Sequence, residues 1–111
     1  METLSSVKLA REIIEDKKGG DVVILDVRKV SVVTDYYVIC TGNNSRHIKA
    51  LADTCDKEMR TEGAKAYRQS GTPESGWMIL DYLDFVVHIF SEKAREHYAL
   101  ETLWKDAPRV K

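Results

Sequence analysis

Residues 77–90 read WMILDYLDFVVHIF. Two strand-length runs, Trp77–Tyr82 and Phe85–Phe90, flank the dipeptide Leu83-Asp84, and a two-residue connection is what joins antiparallel strands in a tight hairpin. With that loop, Trp77 pairs with Phe90, Ile79 with His88 and Asp81 with Val86. Side chains alternate faces along a strand, so this register sorts the whole segment into two sets. Met78, Leu80, Tyr82, Phe85, Val87 and Ile89 share one face, which is almost wholly apolar and belongs on a core. Trp77, Ile79, Asp81, Val86, His88 and Phe90 share the other.

That second face is amphipathic, and two readings fit it equally. Aromatic anchors beside a carboxylate and an imidazole have the composition of a protein-binding patch. Alternatively a helix covers the face, and Asp81 pairs with His88 or with a backbone group, since a Trp is often simply core.

Working outward, Ser91 can cap a helix over Glu92–Trp104 with Tyr98, Leu103 and Trp104 as its apolar positions, and Pro108 stops it. Upstream lie a loop, Gly71–Gly76, and a short strand, Ala64–Ser70. A helix from Ser45 to Glu62, capped by an Asn, carries the stripe Ile48, Leu51, Ala52, Cys55, Met59 at helical spacing. Asp35–Thr41 and Asp21–Arg28 are strands, the latter apolar across both faces and so covered on two sides. Thr3–Lys18 is a helix on Val7, Ala10, Ile13 and Ile14, ended by Gly19-Gly20 in a left-handed C-cap. The order α-β-β-α-β-β-β-α predicts a mixed α/β fold of one domain over residues 1–111, a single mixed sheet flanked by helices.

The chain has 111 residues, with 17 Lys and Arg against 18 Asp and Glu and a net charge of −1. Charges of both signs alternate along it, which disfavours free nucleic acid as the main partner. The apolar runs are strand-length, too short for a membrane span, and no secretory signal is visible, so a cytoplasmic location is expected. Cys40 and Cys55 sit at positions suited to buried free thiols.

Chemistry-bearing motifs are few. His47, His88 and His97 are scattered without zinc-ligand spacing. No D-x-D occurs anywhere in the chain, and two-metal phosphoryl transfer wants closely spaced carboxylates on one strand face. Cys40-Thr41-Gly42-Asn43-Asn44-Ser45-Arg46 runs from strand through a Gly turn into a helix, where backbone N–H groups can hold an anion. It has too few glycines for a phosphate-binding loop, so a capped strand-to-helix turn is the stronger reading. No metal, no cofactor and no catalytic residue is expected.

Several stretches together resemble the Iojap family of ribosomal silencing factors (RsfS): Asp21–Val27 (DVVILDV), Thr34–Ile39 (TDYYVI), Gly42–Arg46 (GNNSR), Gly76–Tyr82 (GWMILDY), His88–Phe90 (HIF) and Tyr98–Trp104 (YALETLW). The resemblance extends from about Val7 to Trp104. It implies a fold similar to nucleotidyltransferases but without their catalytic acidic pair. It also implies a binding function: association with the large ribosomal subunit at that subunit's ribosomal protein fourteen, which keeps the small subunit from joining and represses translation when nutrients are short. One departure stands out: Leu83 occupies the hairpin turn where the family usually has Gly, and Leu disfavours positive φ.

The residues expected to carry the interaction are Trp77, Asp81, His88 and Phe90 on the outer hairpin face, with Tyr98, Glu101 and Trp104 on the adjoining helix. Asp81 and Glu101 suit the Lys and Arg of a basic partner, and Trp77 and Phe90 offer apolar area. On this reading Trp77→Ala releases the partner yet leaves the chain folded. Exposed aromatics also permit a homodimer that competes for the same patch. The competing function is a nucleotidyltransferase-like enzyme or nucleotide-binding protein using the Gly42 turn.

Overall fold

A computed structural model describes residues 2–111. The elements run α1 (Thr3–Asp16), β1 (Gly20–Asp26), β2 (Tyr36–Gly42), α2 (Ser45–Thr61), β3 (Arg68–Thr72), β4 (Trp77–Asp81), β5 (Phe85–Ser91), α3 (Glu92–Tyr98) and α4 (Leu100–Leu103). The five strands form one mixed sheet in the order β1-β2-β5-β4-β3. Only β2 and β5 run parallel; the other neighbours are antiparallel. The parallel pair requires a crossover, which α2 with the β3–β4 excursion supplies.

The hairpin has the expected register: Trp77 opposite Phe90, Ile79 opposite His88, Asp81 opposite Val86. Tyr82 N–H donates to the Phe85 carbonyl at 2.9 Å to close the two-residue turn, and Leu83 takes φ 70°. The departure noted in the sequence therefore falls where the backbone asks for glycine.

The inner face of the sheet is a conventional core. Tyr36, Val38, Cys40, Leu80, Val87 and Ile89 are buried there with Val7, Ala10 and Ile14 of α1 and the whole expected stripe of α2. β1 is buried on both sides, as expected: Ile24 joins this core, whereas Val23 and Leu25 join a second cluster on the outer face with Ile39, Phe90, Ala94 and Ala107. Cys40 and Cys55 are free, buried thiols, and burial pushes each up to about 12.

Four local expectations need correction. At the end of α1 the left-handed residue is Lys18 (φ 67°), not a glycine. Gly19 is needed for a different reason: a Cβ there would sit 2.3 Å from Ile14 Cγ2, so only hydrogen lets the chain turn so tightly under α1. The short strand lies at Arg68–Thr72 and not at Ala64–Ser70, because the exposed edge gives no burial period to locate it. The final helix is broken: Ala99 adopts φ 46°, ψ 46°, ending α3 and starting α4 in a new direction. Finally, Pro108 does more than stop a helix. Asp26 N–H donates to the Pro108 carbonyl and Val110 N–H to the Ile24 carbonyl, both at 2.8 Å, so the C-terminal tail lies antiparallel along β1 and covers that sheet edge.

Candidate functional site

The outer face divides in two. Over β1 and β2 it is roofed by α3, α4 and the tail, with Ala94, Leu100, Trp104 and Ala107 packed on Val23, Leu25 and Ile39. Over β4 and β5 the roof ends. Trp77, Ile79, Asp81 and Val86 are half-buried side chains that reach the surface, bordered by the exposed edge strand β3.

An aromatic cluster spans the boundary. Trp77 packs on Tyr98 (ring centroids 4.4 Å apart) and stacks on Phe90 (5.1 Å). Tyr37 of β2 meets His88 edge-on at 5.1 Å and Trp104 at 5.7 Å. Such pairs each contribute about 0.5–1.5 kcal/mol beyond area burial and prefer these offset or edge-on arrangements. The reading of a helix-covered face thus holds in part. Phe90 and His88 lie underneath, while Trp77 and Asp81 reach the surface and Tyr98 is exposed. Phe90 is a floor of the cluster and offers no free apolar area, because α3 folds back over it.

Inside the cluster, Trp77 Nε1–H donates to His88 Nδ1 at 3.1 Å. An imidazole that accepts at Nδ1 is neutral and carries its proton on Nε2. Burial pushes His88 down to about 4, against the weaker upward pull of the Asp81 charge. Its Nε2 is buried and has no hydrogen-bond partner. Burial, and then the Asp81 charge, push the Tyr37 hydroxyl up. Asp81 itself accepts from Leu83 N–H at 2.8 Å through Oδ1, and its Oδ2 lies 3.9 Å from the Arg68 guanidinium, too far for a hydrogen bond. The backbone pairing foreseen for Asp81 is realised with the turn, and its other carboxylate oxygen faces Arg68 in a long, exposed ion pair.

Glu101 plays another part. It accepts from Arg95 Nε at 2.7 Å and lies 3.6 Å from Arg109, and the Arg95 hydrogen bond holds its carboxyl below the usual range. Arg95 is nine-tenths buried, donates to Thr41 Oγ1 at 2.9 Å and lies 3.7 Å from Asp21. This network latches α3, α4 and the tail onto the sheet, so the charge of Glu101 is already matched from within the chain. Sequence reasoning named Glu101 but missed Arg95 and Tyr37. The alternation of β2 puts Tyr37 on the outer face once the β2–β5 pairing is known, but nothing in the sequence announces that pairing.

The Gly42 turn is a capped junction. Asn44 Oδ1 accepts from His47 N–H at 2.8 Å, Asn43 N–H donates to His47 Nδ1 at 2.9 Å, and a Cβ on Gly42 would lie 2.6 Å from Ile48. Its glycine serves packing, and two amides that could face an anion are engaged. A cleft of about 690 Å³ lies beside the latch, and its walls carry Asp21, Glu92, Glu96 and Glu101 against Arg95 and Arg109. That carboxylate excess repels a nucleotide's phosphates. Among the described residues no group of three or more His, Cys, Asp or Glu side chains could hold a metal ion, and no helix is long and apolar enough to cross a membrane.

Comparison with known proteins places the chain in a family. Residues 1–111 match the family described as ribosomal silencing factor during starvation, RsfS. The ribosomal silencing factor RsfS of Halalkalibacterium halodurans is 36% identical over 94% of this chain and 89% of its own length. Its counterpart in Haemophilus influenzae is 37% identical over 91% of this chain and 99% of its own. A crystal structure of a Chromobacterium violaceum protein superposes with a TM-score of 0.91 at 32% identity, covering 95% of this chain and 88% of that one. Motifs, sheet order and these matches agree: the chain belongs to the RsfS family of ribosomal silencing factors.

Proposed function

We propose that this chain binds the large ribosomal subunit through that subunit's ribosomal protein fourteen, keeps the small subunit from joining and thereby represses translation when nutrients are short. The observation that carries this reading is the unroofed half of the outer face. There Trp77, Ile79, Asp81 and Val86 form a mixed apolar and acidic surface, with Tyr98 and Trp104 at its border. Aromatic side chains, held by their neighbours and ringed by polar groups, are the usual centres of binding energy. In this proposal Trp77, Asp81, Tyr98 and Trp104 meet the partner. His88 and Phe90 hold Trp77 in place, and Glu101 holds the α4 arm that presents Trp104. A basic ribosomal protein supplies a closer cation for the Asp81 oxygen that Arg68 holds only at 3.9 Å.

The action is occupancy, with no covalent step. Asp26 and Asp81, the strand carboxylates an enzyme could recruit, stand on opposite faces with β2 and β5 between them. Asp26 is moreover gripped by Arg28 at 2.7 and 2.9 Å. That arrangement disfavours the nucleotidyltransferase-like alternative. A homodimer formed through the same face would compete with the ribosome for Trp77.

Sucrose-gradient sedimentation with purified subunits tests the proposal. The wild-type chain is expected to travel with large subunits, prevent their joining to small ones, and lose both activities in Asp81→Lys. A chain of net charge −1 docking on protein loses affinity only modestly with salt; a log–log slope near −4 or steeper, on the order of four to five phosphate contacts, would identify rRNA as the target instead.

A further inference from the structure

His88 is a polar side chain buried beneath the proposed interface, and its two ring nitrogens are in different states. Nδ1 is committed, because it accepts from Trp77 Nε1–H at 3.1 Å. That bond fixes the tautomer and leaves the ring's only proton on Nε2, which is buried without a partner. A buried donor left unpaired is costly, and native structures rarely keep one without a use. The neighbours on the outer side are Tyr37, Trp77 and Ile79, all half-buried side chains that reach the surface. His88 is itself buried and lies directly beside these surface-reaching side chains.

We infer that His88 is a specificity-determining residue of this face: its Nε2–H donates to a neutral acceptor on the partner, a main-chain carbonyl or a hydroxyl. The acceptor is neutral because Asp81 faces the same spot and repels a carboxylate or a phosphate. The partner therefore presents a carbonyl or hydroxyl to His88 beside a cation for Asp81, a pairing that distinguishes a basic protein segment from nucleic acid, whose backbone is anionic throughout. This inference rests on the proposed ribosomal function and adds to it which atom reads the partner.

A double-mutant cycle separates reading from mere positioning of Trp77. His88→Phe keeps the ring stack on Phe90 and removes both nitrogens; Trp77→Phe removes the indole N–H that occupies Nδ1. If Nε2–H meets the partner, His88→Phe weakens co-sedimentation with large subunits about tenfold in the wild-type background and again in the Trp77→Phe background. If His88 serves only to satisfy Trp77, the effect vanishes once residue 77 is Phe, and the inference is overturned. Ring nitrogen shifts of the free protein by ¹⁵N NMR give an independent check. A proton on Nε2 supports the inference, whereas a proton on Nδ1 defeats it even if His88→Phe does not fold. Should the wild-type chain itself fail to sediment with large subunits, the proposed function falls and this inference with it.

Discussion

The inner and outer faces of the sheet are covered by different means. α1 and α2 lay continuous apolar stripes over the inner face, and the side chains they bury carry almost no polar atoms. The outer face is roofed by a broken helix and a tail, held by the Arg95–Glu101–Arg109 network, and the roof stops before β4. Polar groups are buried there, namely Arg95 and His88, and aromatic rings mark where the roof ends. The inner face therefore supplies stability, and the outer face trades part of it for a surface whose side chains are held ready.

Truncation at the centre of the inner face gives the largest expected effect. Leu80 is buried on β4, and Leu80→Ala is expected to cost ~2–5 kcal/mol by lost transfer energy plus the cavity left behind. Urea denaturation checks it: the midpoint falls while the slope stays unchanged. A loss below about 1 kcal/mol would mean that the inner face repacks freely and that the contrast between the faces is false.

Acid should strike the outer face before the inner one. The folded-state pKa of His88 is depressed to about 4 by burial, whereas an unfolded His titrates near 6.5. Between those values the unfolded chain binds the extra proton, so stability falls as pH is lowered from about 6.5 to about 4, by about 3 kcal/mol in all. Glu101, also depressed, adds stability that is present above about 4.3 and lost as pH falls further through its folded value. Melting temperatures measured from pH 7 to 4 are expected to fall in wild type and to stay nearly flat in His88→Phe over the same window. An equal slope in both would assign the acid sensitivity elsewhere.

The two faces also differ in how far the sequence discloses them. Strict alternation in Trp77–Phe90 and the helical stripe Ile48–Met59 report the inner core directly, because one apolar face admits only one register. The outer face depends on long-range facts that local pattern does not carry. Phe90 is buried because α3, capped by Ser91, returns over it, and the roof then turns into α4 because Ala99 takes a left-handed conformation that nothing in Tyr98-Ala99-Leu100 signals. Tyr37 joins the cluster through a parallel pairing between strands nearly fifty residues apart. The tail reaches β1 through backbone bonds that are indifferent to side-chain type, so Pro108 reads as an end when it is a sheet contact. Glu101 reads as a free rim charge for the same reason: its partner Arg95 lies on a separate helix.

This burial revises what Trp77→Ala does. An outer-face Trp with little part in the core could be removed at no structural cost; the observed Trp77 stacks on Phe90 and Tyr98 and bonds to His88. Its truncation is expected to lower stability by about 2 kcal/mol, less than the 3–5 typical of a fully buried aromatic because part of the ring already meets water. It is also expected to abolish the proposed large-subunit binding. Trp77→Phe, which keeps an aromatic ring on the stack but loses the N–H and part of the indole's contact area, separates the two losses: melting well above that of Trp77→Ala with weakened binding is expected. Full binding by Trp77→Ala at temperatures where it stays folded would remove Trp77 from the interface.

The smallest expected change lies at the hairpin turn and goes the other way. Leu83 holds φ 70° in a two-residue connection, a conformation that costs a Leu about 1–2 kcal/mol. Its side chain is 56% exposed, so little buried apolar area is at stake. Leu83→Gly removes the strain and enlarges the freedom of the unfolded chain, an opposing effect of about 0.5–1 kcal/mol, which leaves a net gain under about 1 kcal/mol. The Asp81 carboxylate keeps its bond to the amide of residue 83, since that contact is to backbone. A rise of a few degrees in melting temperature with unchanged ribosome binding is expected for a chain of this size. Gly76→Ala is the matched control. It also sits at positive φ, 80°, but a Cβ there meets Ser91 Oγ at 2.7 Å, so that change must lower the melting temperature. If Leu83→Gly raises stability but weakens sedimentation with large subunits, the Leu83 side chain is itself part of the docking surface, and the unroofed face extends from Trp77 past Asp81 to the tip of the hairpin.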